Sequence, residues 1–148
     1  MNHLLPIFMK LDNQPCLVVG GGKVAFQKIK QLLDSKAEVT VVALKVCENI
    51  QAMPVYINYS EYRENDMKGY QLVIAATDDE STNRRIYEDA QKLGIPINVV
   101  DQPELCSFYM GSVYQDGDVK VAVSTNGKCP SFGKYLRDHI KNMSKGLW

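Results

Sequence analysis

The sequence carries no excess of either charge: 17 lysines and arginines balance 17 aspartates and glutamates over 148 residues. That balance removes the global basic field that nucleic acid or an anionic membrane would require, so a charged ligand must be met by a local patch. No apolar run reaches the roughly 18 residues of a membrane-spanning helix, and the N-terminus lacks the basic stretch and apolar core of a secretory leader. A cytoplasmic location is the expectation. The four cysteines, Cys16, Cys47, Cys106 and Cys129, lie far apart and form no C-x-x-C pair. Their spacing argues against a redox motif or zinc knuckle and for reduced thiols. His3 and His139 have no partner at ligand spacing, so no metal is expected.

Apolar side chains, by contrast, make up 45% of the chain, enough for one ordinary globular domain with a real core. The stretch that organises it is 16–30. An apolar run, Cys16, Leu17, Val18, Val19, stops at Gly20, Gly21, Gly22, after which Lys23, Val24 and Ala25 begin a helical periodicity. Read as G-x-G-x-x-A, this order places Gly20 at a tight turn, Gly22 where a backbone must let a pyrophosphate approach, and small Ala25 where helix packs on strand. Amides of the first helical turn then point at phosphate, helped by the helix dipole. Three glycines can also form a sharp turn with no ligand. The strand before, the helix after and the β-α-β context favour dinucleotide binding.

The apolar lead-in 4–11 precedes a turn at 12–15. In the first helix Val24, Ile29, Leu32 and Leu33 are expected to face the core, and Lys23, Lys28, Lys30 and Gln31 to face water. Strands are expected at 38–43, 55–58, 71–76 and 96–100, with a weak helix over 45–52 and a polar crossover at 61–68. A helix spans 80–93, with Asp78 or Asp79 as its cap in preference to an acid-base role and Gly94 closing it. The usual acidic ribose ligand at the end of the second strand is missing: Ala43, Leu44 and Lys45 stand there instead. NAD and NADP are therefore not separated by this position; Lys45 either meets a 2′-phosphate or, the preferred reading, is a solvated loop lysine.

After Asp101 the pattern changes. Residues 107–114 and 119–124 read as strands joined by a turn at 115–118, and 131–143 as a helix with Phe132, Leu136, Ile140 and Met143 at helical spacing. The fold class is α/β, a Rossmann-type doubly wound parallel sheet followed by a β-hairpin and a C-terminal helix. Residues 1–105 form the dinucleotide-binding domain and 106–148 a dimerisation and substrate region, because a hairpin and one helix bury themselves poorly.

Six segments, in order, resemble the precorrin-2 dehydrogenase family, the N-terminal module of siroheme synthases. They are Leu4-Leu5-Pro6-Ile7-Phe8, 18–25, 75–79, Asn98-Val99-Val100-Asp101, Ser107-Phe108 and 121–130, and together they cover essentially the whole chain. The resemblance implies NAD-dependent oxidation of precorrin-2 to sirohydrochlorin by a homodimer, with ferrous iron insertion as a second activity in some members. It places Asp101 as the base, unless that strand-end aspartate only caps the turn before Pro103. Gly20, Gly21, Gly22, Lys23 and Val24 would hold the pyrophosphate, and Ala43, Leu44 and Lys45 the adenosine. Thr77 and Asn98 would lie at ribose or nicotinamide, unless they serve only to satisfy loop backbone.

The substrate carries many carboxylates. Lys128, Lys134 and Arg137, with Lys141, would meet them, although a solvated polar face explains these cations equally well. Ser107, Ser124 and Asn126 are the candidate polar contacts. Two departures stand out: members of the family continue into a further helical region, so this chain reads as a short member or a fragment, and Cys129 stands where some relatives have serine. A cofactor-sensing domain without chemistry, and a chelatase acting without redox, remain the alternatives.

Overall fold

Runs of β-branched residues alternate with amphipathic segments through the first two thirds of the chain, which is the grammar of a parallel sheet covered on both faces. In the computed structural model, which describes residues 1–145, those runs become β1 (Pro15–Val19), β2 (Glu38–Val42), β3 (Tyr56–Asn58), β4 (Leu72–Ala75) and β5 (Ile97–Val99). All neighbours pair in parallel, in the order β3-β2-β1-β4-β5. The strand order reverses between β1 and β4, the crevice in which open α/β sheets bind ligands. The helices are α1 (Lys23–Asp34), α2 (Glu48–Gln51) and α3 (Glu80–Leu93).

Alternation along the strands divides the core. Leu17, Val19, Val42, Val73, Ala75, Ile97 and Val99 join Ile86 and Ala90 of α3 in one buried cluster. Cys16, Val18, Val39, Val41 and Ile74 are buried on the strands' alternate positions, and α1 packs on β1 and β2 through Ala25, Ile29 and Leu32. Each such side chain contributes about 1.5–3 kcal/mol by leaving water.

Three expectations for α1 are corrected. Val24 is 42% exposed, and Lys28 and Gln31 are half-buried rather than in water. At about 100° per residue the buried stripe is centred near Ala25, Ile29 and Leu32. Val24 lies off that stripe, whereas Lys28 borders it, about 60° from Ala25. The polar crossover before β4 also does more than expected. It forms a short 3-10 turn, Glu64–Met67, and buries Tyr62 and Met67. Tyr62 donates to Asp89 of α3 at 2.6 Å, and Arg85 donates to the Tyr62 carbonyl at 2.9 Å.

The capping of α3 follows the sequence. Asp79 accepts from the Ser81 amide at 3.1 Å, and Gly94 closes the helix at φ 66°. Hydrogen bonds from Ser81 and Thr82 hold the Asp79 carboxyl below its ordinary value.

Residues 8–108 form one compact unit, and Met1–Ile7 groups with the chain from Tyr109 onward in another. The second unit contains β6 (Ser112–Asp116) and β7 (Val119–Val123), antiparallel across the loop Gly117-Asp118, and α4 (Pro130–Ser144). Gly117, at φ 58°, occupies the loop position that suits a primed hairpin turn. β6 starts at Ser112 rather than at 107, because Ser107 pairs with β5 instead: its amide donates to the Ile97 carbonyl at 2.8 Å. Among the described residues no helix is long and apolar enough to cross a membrane.

Candidate functional site

The three glycines at the end of β1 have three different reasons to be glycine. Gly20 sits at φ 130°, and a Cβ there would lie 2.3 Å from the Ala76 carbonyl oxygen at the end of β4. A Cβ on Gly21 would lie 2.0 Å from the Lys45 carbonyl oxygen, in a loop held by the Cys47 amide donating to the Gly21 carbonyl at 2.8 Å. At Gly22 a Cβ would meet nothing within 4 Å. The protein's own packing demands the first two glycines and leaves the third open.

Gly22 is also the N-cap of α1, in an extended conformation that offers no side-chain cap, and no acidic residue stands in the first turn. The helical ladder begins with the Phe26 amide donating to the Gly22 carbonyl at 3.0 Å, which leaves the amides of Lys23, Val24 and Ala25 ahead of it. Three first-turn donors at the positive end of a helix, beside the open space at Gly22 and with no carboxylate in that turn, fit the pyrophosphate of a dinucleotide.

On the β2 side, the Gly21 contact pins the loop that carries Ala43, Leu44 and Lys45. Leu44 is 63% exposed and Lys45 is exposed, so an apolar surface and a cation, with no carboxylate, stand where an adenosine would lie. Thr77 follows β4. Its hydroxyl donates to Asn83 Oδ1 at 2.6 Å, while Asn83 Nδ2 donates back to the Thr77 carbonyl at 3.1 Å. Thr77 is thus locked to α3 and shapes the exit of β4.

β5 is a sheet edge whose outer backbone groups need partners, and two side chains supply them. Ser107 Oγ accepts from the Ile97 amide at 2.7 Å, and Cys106 Sγ accepts from the Val99 amide at 3.1 Å. Asn98, buried, donates to the Phe108 carbonyl at 3.0 Å. Burial pushes the Cys106 thiol up, which keeps it in its neutral form. Sequence reasoning missed Cys106 in this role, since a lone cysteine gives no pattern.

Asp101 follows β5, exposed, at φ 63°. A left-handed conformation is uncommon for a residue with a side chain, and such positions concentrate where function over-determines the backbone. Burial pulls the Lys28 titration down, and Cys106 and Asp101 oppose that lowering. The amphipathic position of Lys28 on α1 gave no signal for this, because a lysine bordering the apolar stripe reads as solvated.

The remaining candidates lie in the second unit. Ser124 Oγ accepts from the Asn126 amide at 3.2 Å, and Asn126 adopts φ 61° in the turn that leads to α4. Lys128 and Lys134 are exposed, whereas Arg137 pairs with the neighbouring Asp138 at 2.9 Å. A shallow cleft of about 110 Å³ is lined by Tyr109, Ser112, Ser124, Thr125, Pro130 and Gly133. Along α4, Phe132, Tyr135 and His139 stack in succession with ring centroids 6.3 Å apart.

Comparison with known proteins gives two family matches in order along the chain. The family described as "Putative NAD(P)-binding" matches residues 7–112, and "Sirohaem biosynthesis protein central" matches residues 116–143. A siroheme synthase of Methylococcus capsulatus is 41% identical over 141 residues, 93% of this chain and 30% of the relative. One of Ectopseudomonas mendocina is 42% identical over 141 residues, 94% of this chain and 30% of the relative. The chain therefore spans about 30% of the length of such relatives. A solved structure titled SirC, precorrin-2 dehydrogenase, superposes with a TM-score of 0.79 at 22% identity, covering 95% of this chain and 71% of that one, and so shares the fold. The open cradle at Gly22 and the two consecutive matches together place the chain in the family of NAD(P)-binding modules found in siroheme synthases.

Proposed function

We propose that the chain oxidises precorrin-2 to sirohydrochlorin with NAD, a step of siroheme biosynthesis. One observation carries the reading: at the carboxyl edge of a single sheet, β1 ends in an open glycine cradle followed by the first-turn amides of α1, and β5 leads into a carboxylate held in a left-handed turn. The names of the relatives and of the structural neighbour support the substrate class.

The amides of Lys23 and Val24 bind the pyrophosphate beside Gly20, Gly21 and Gly22, while Ala43, Leu44 and Lys45 flank the adenosine. NAD held there supplies the acceptor for a hydride. Asp101 takes the proton lost from the macrocycle in the same oxidation. One hydride and one proton leave, one double bond is gained, and the protonated Asp101 returns its proton to water. Thr77, Asn98 and Ser107 serve by fixing the ends of β4 and β5. Lys128, Lys134 and Arg137, with Ser124 and Asn126, meet substrate carboxylates.

The chain acts as a homodimer in this reading. From Tyr109 onward, Gly133 alone is buried among the described residues, and Phe132, Tyr135 and Met143 of α4 are exposed. A second copy is the partner that would cover them.

The test is an anaerobic incubation with precorrin-2 and NAD, followed by absorbance. NADH should form, and Asp101→Asn should slow turnover by about 10²-fold or more while NAD affinity is kept. NAD binding without turnover would favour a sensing domain. Insertion of ferrous iron into supplied sirohydrochlorin without NAD would point to a chelatase.

A further inference from the structure

The place where a dinucleotide site tells NAD from NADP is fixed here by strand register. Val19 of β1 lies opposite Val42 of β2, and the Gly20 amide donates to the Val42 carbonyl at 3.0 Å, so β2 ends level with the glycine turn. A carboxylate just beyond that end bonds the ribose hydroxyls of NAD and repels a 2′-phosphate. Ala43, half-buried, and Leu44 and Lys45, both exposed, stand there instead, and 43–47 contains no acidic residue.

Spacing alone favours a solvated loop lysine at 45, but the backbone that carries it is anchored on both sides. Before it, the Ala43 amide donates to the Asn58 carbonyl at 3.2 Å, which extends the ladder between β2 and β3. After it, the Cys47 amide donates to the Gly21 carbonyl at 2.8 Å, Gln51 Nε2 donates to the Val46 carbonyl at 2.9 Å, and Val46 and Ile50 are buried. The Lys45 carbonyl itself presses on Gly21, where a Cβ would come within 2.0 Å of its oxygen. The main chain of Lys45 is thus held against the cradle while its side chain is left exposed. Among the described residues no carboxylate pairs with its ammonium.

We propose that the cradle takes the 2′-phosphorylated dinucleotide NADP as well as NAD, and that Lys45 is the specificity-determining residue, its ammonium meeting the 2′-phosphate. The proposal rests on the reading of the glycine turn as a pyrophosphate site. Two features act together: the end of β2 lacks the charge that would reject the phosphate, and a cation based beside the turn attracts it. Leu44 offers apolar surface to the adenosine of either dinucleotide. Lysine is a point charge in water rather than a fixed fork, so the attraction is screened by salt.

Calorimetry on the full chain with NAD and NADP in parallel reads this without turnover. NADP should bind with a Kd within about tenfold of that for NAD, and added salt should weaken NADP the more steeply. Lys45→Ala should weaken NADP about 10-fold and Lys45→Glu about 100-fold, each with NAD changed by no more than about twofold. The ratio of the two affinities is the readout, because damage to the fold would weaken both alike. A ratio unmoved in Lys45→Glu overturns the proposal. Binding of NAD without NADP in the unsubstituted protein also overturns it and leaves the cradle standing, whereas binding of neither removes the cradle and the proposal with it.

Discussion

The two compact units of this chain handle apolar surface in opposite ways. Residues 8–108 bury both faces of a five-stranded sheet, with Leu17, Val18, Ile29, Ile74, Ile86 and Ile97 fully enclosed. The hairpin and α4 bury Gly133 and leave Phe132, Tyr135 and Met143 at 50%, 64% and 62% exposure. A two-layer arrangement closes a core by itself, whereas a two-stranded ribbon under one helix has too little surface to do so. The first unit encloses its own core, whereas the second leaves the apolar side chains of α4 in water.

The largest effect on that contrast should come from Gly21→Ala. Its Cβ would collide with a backbone carbonyl that cannot swing away, so denaturant unfolding should show a loss of about 3 kcal/mol. Unchanged stability would mean that the loop carrying Lys45 is not pinned as described. Next comes Tyr62→Phe, which removes the buried donor to Asp89 and should cost about 2 kcal/mol. Burial, then the bond to Asp89, raise the tyrosine titration. The bond's contribution is therefore present below the tyrosine's ordinary value of 10.0 and lost as pH rises through its folded value, which a stability profile into alkali would follow.

Tyr135→Lys tests the other unit. It should leave the unfolding midpoint of the sheet within about 0.5 kcal/mol, as surface changes do, yet shift sedimentation toward monomer. A variant that still sediments as a dimer would show that α4 is covered in some other way. Gly22→Ala should cost no more than about 1 kcal/mol at an extended N-cap, while NAD affinity falls about tenfold by calorimetry. Equal binding would empty the cradle of its meaning. The smallest effect belongs to Asp79→Ala. Because the Asp79 carboxyl is held below its ordinary 3.8, the capping contribution exists above that pH and vanishes as pH falls through the lower folded value. The deficit of the variant should shrink over that acidic range.

Much of the sheet unit was legible beforehand, since each strand is a β-branched run and each main helix carries its own punctuation. Helix α3 reads at 80–93 because Asp79 and Gly94 are local signals that tertiary contacts do not override. Tyr62 and Met67 were not legible as core, because a short 3-10 turn has no apolar period to detect. Ser107 read as a strand residue and a polar substrate contact because its sequence neighbourhood is apolar and its hydroxyl free. Only the pairing of β5 shows that the hydroxyl is spent on Ile97.

By itself the sequence determined the parallel α/β architecture, the position of the dinucleotide turn and the family resemblance. All three are written in short-range patterns: alternation, helical period, glycine order. Tertiary structure decided which glycine is left open and which side chains seal the β5 edge. Those facts join residues up to 56 positions apart, Gly20 and Ala76, and no local pattern records the distance between them.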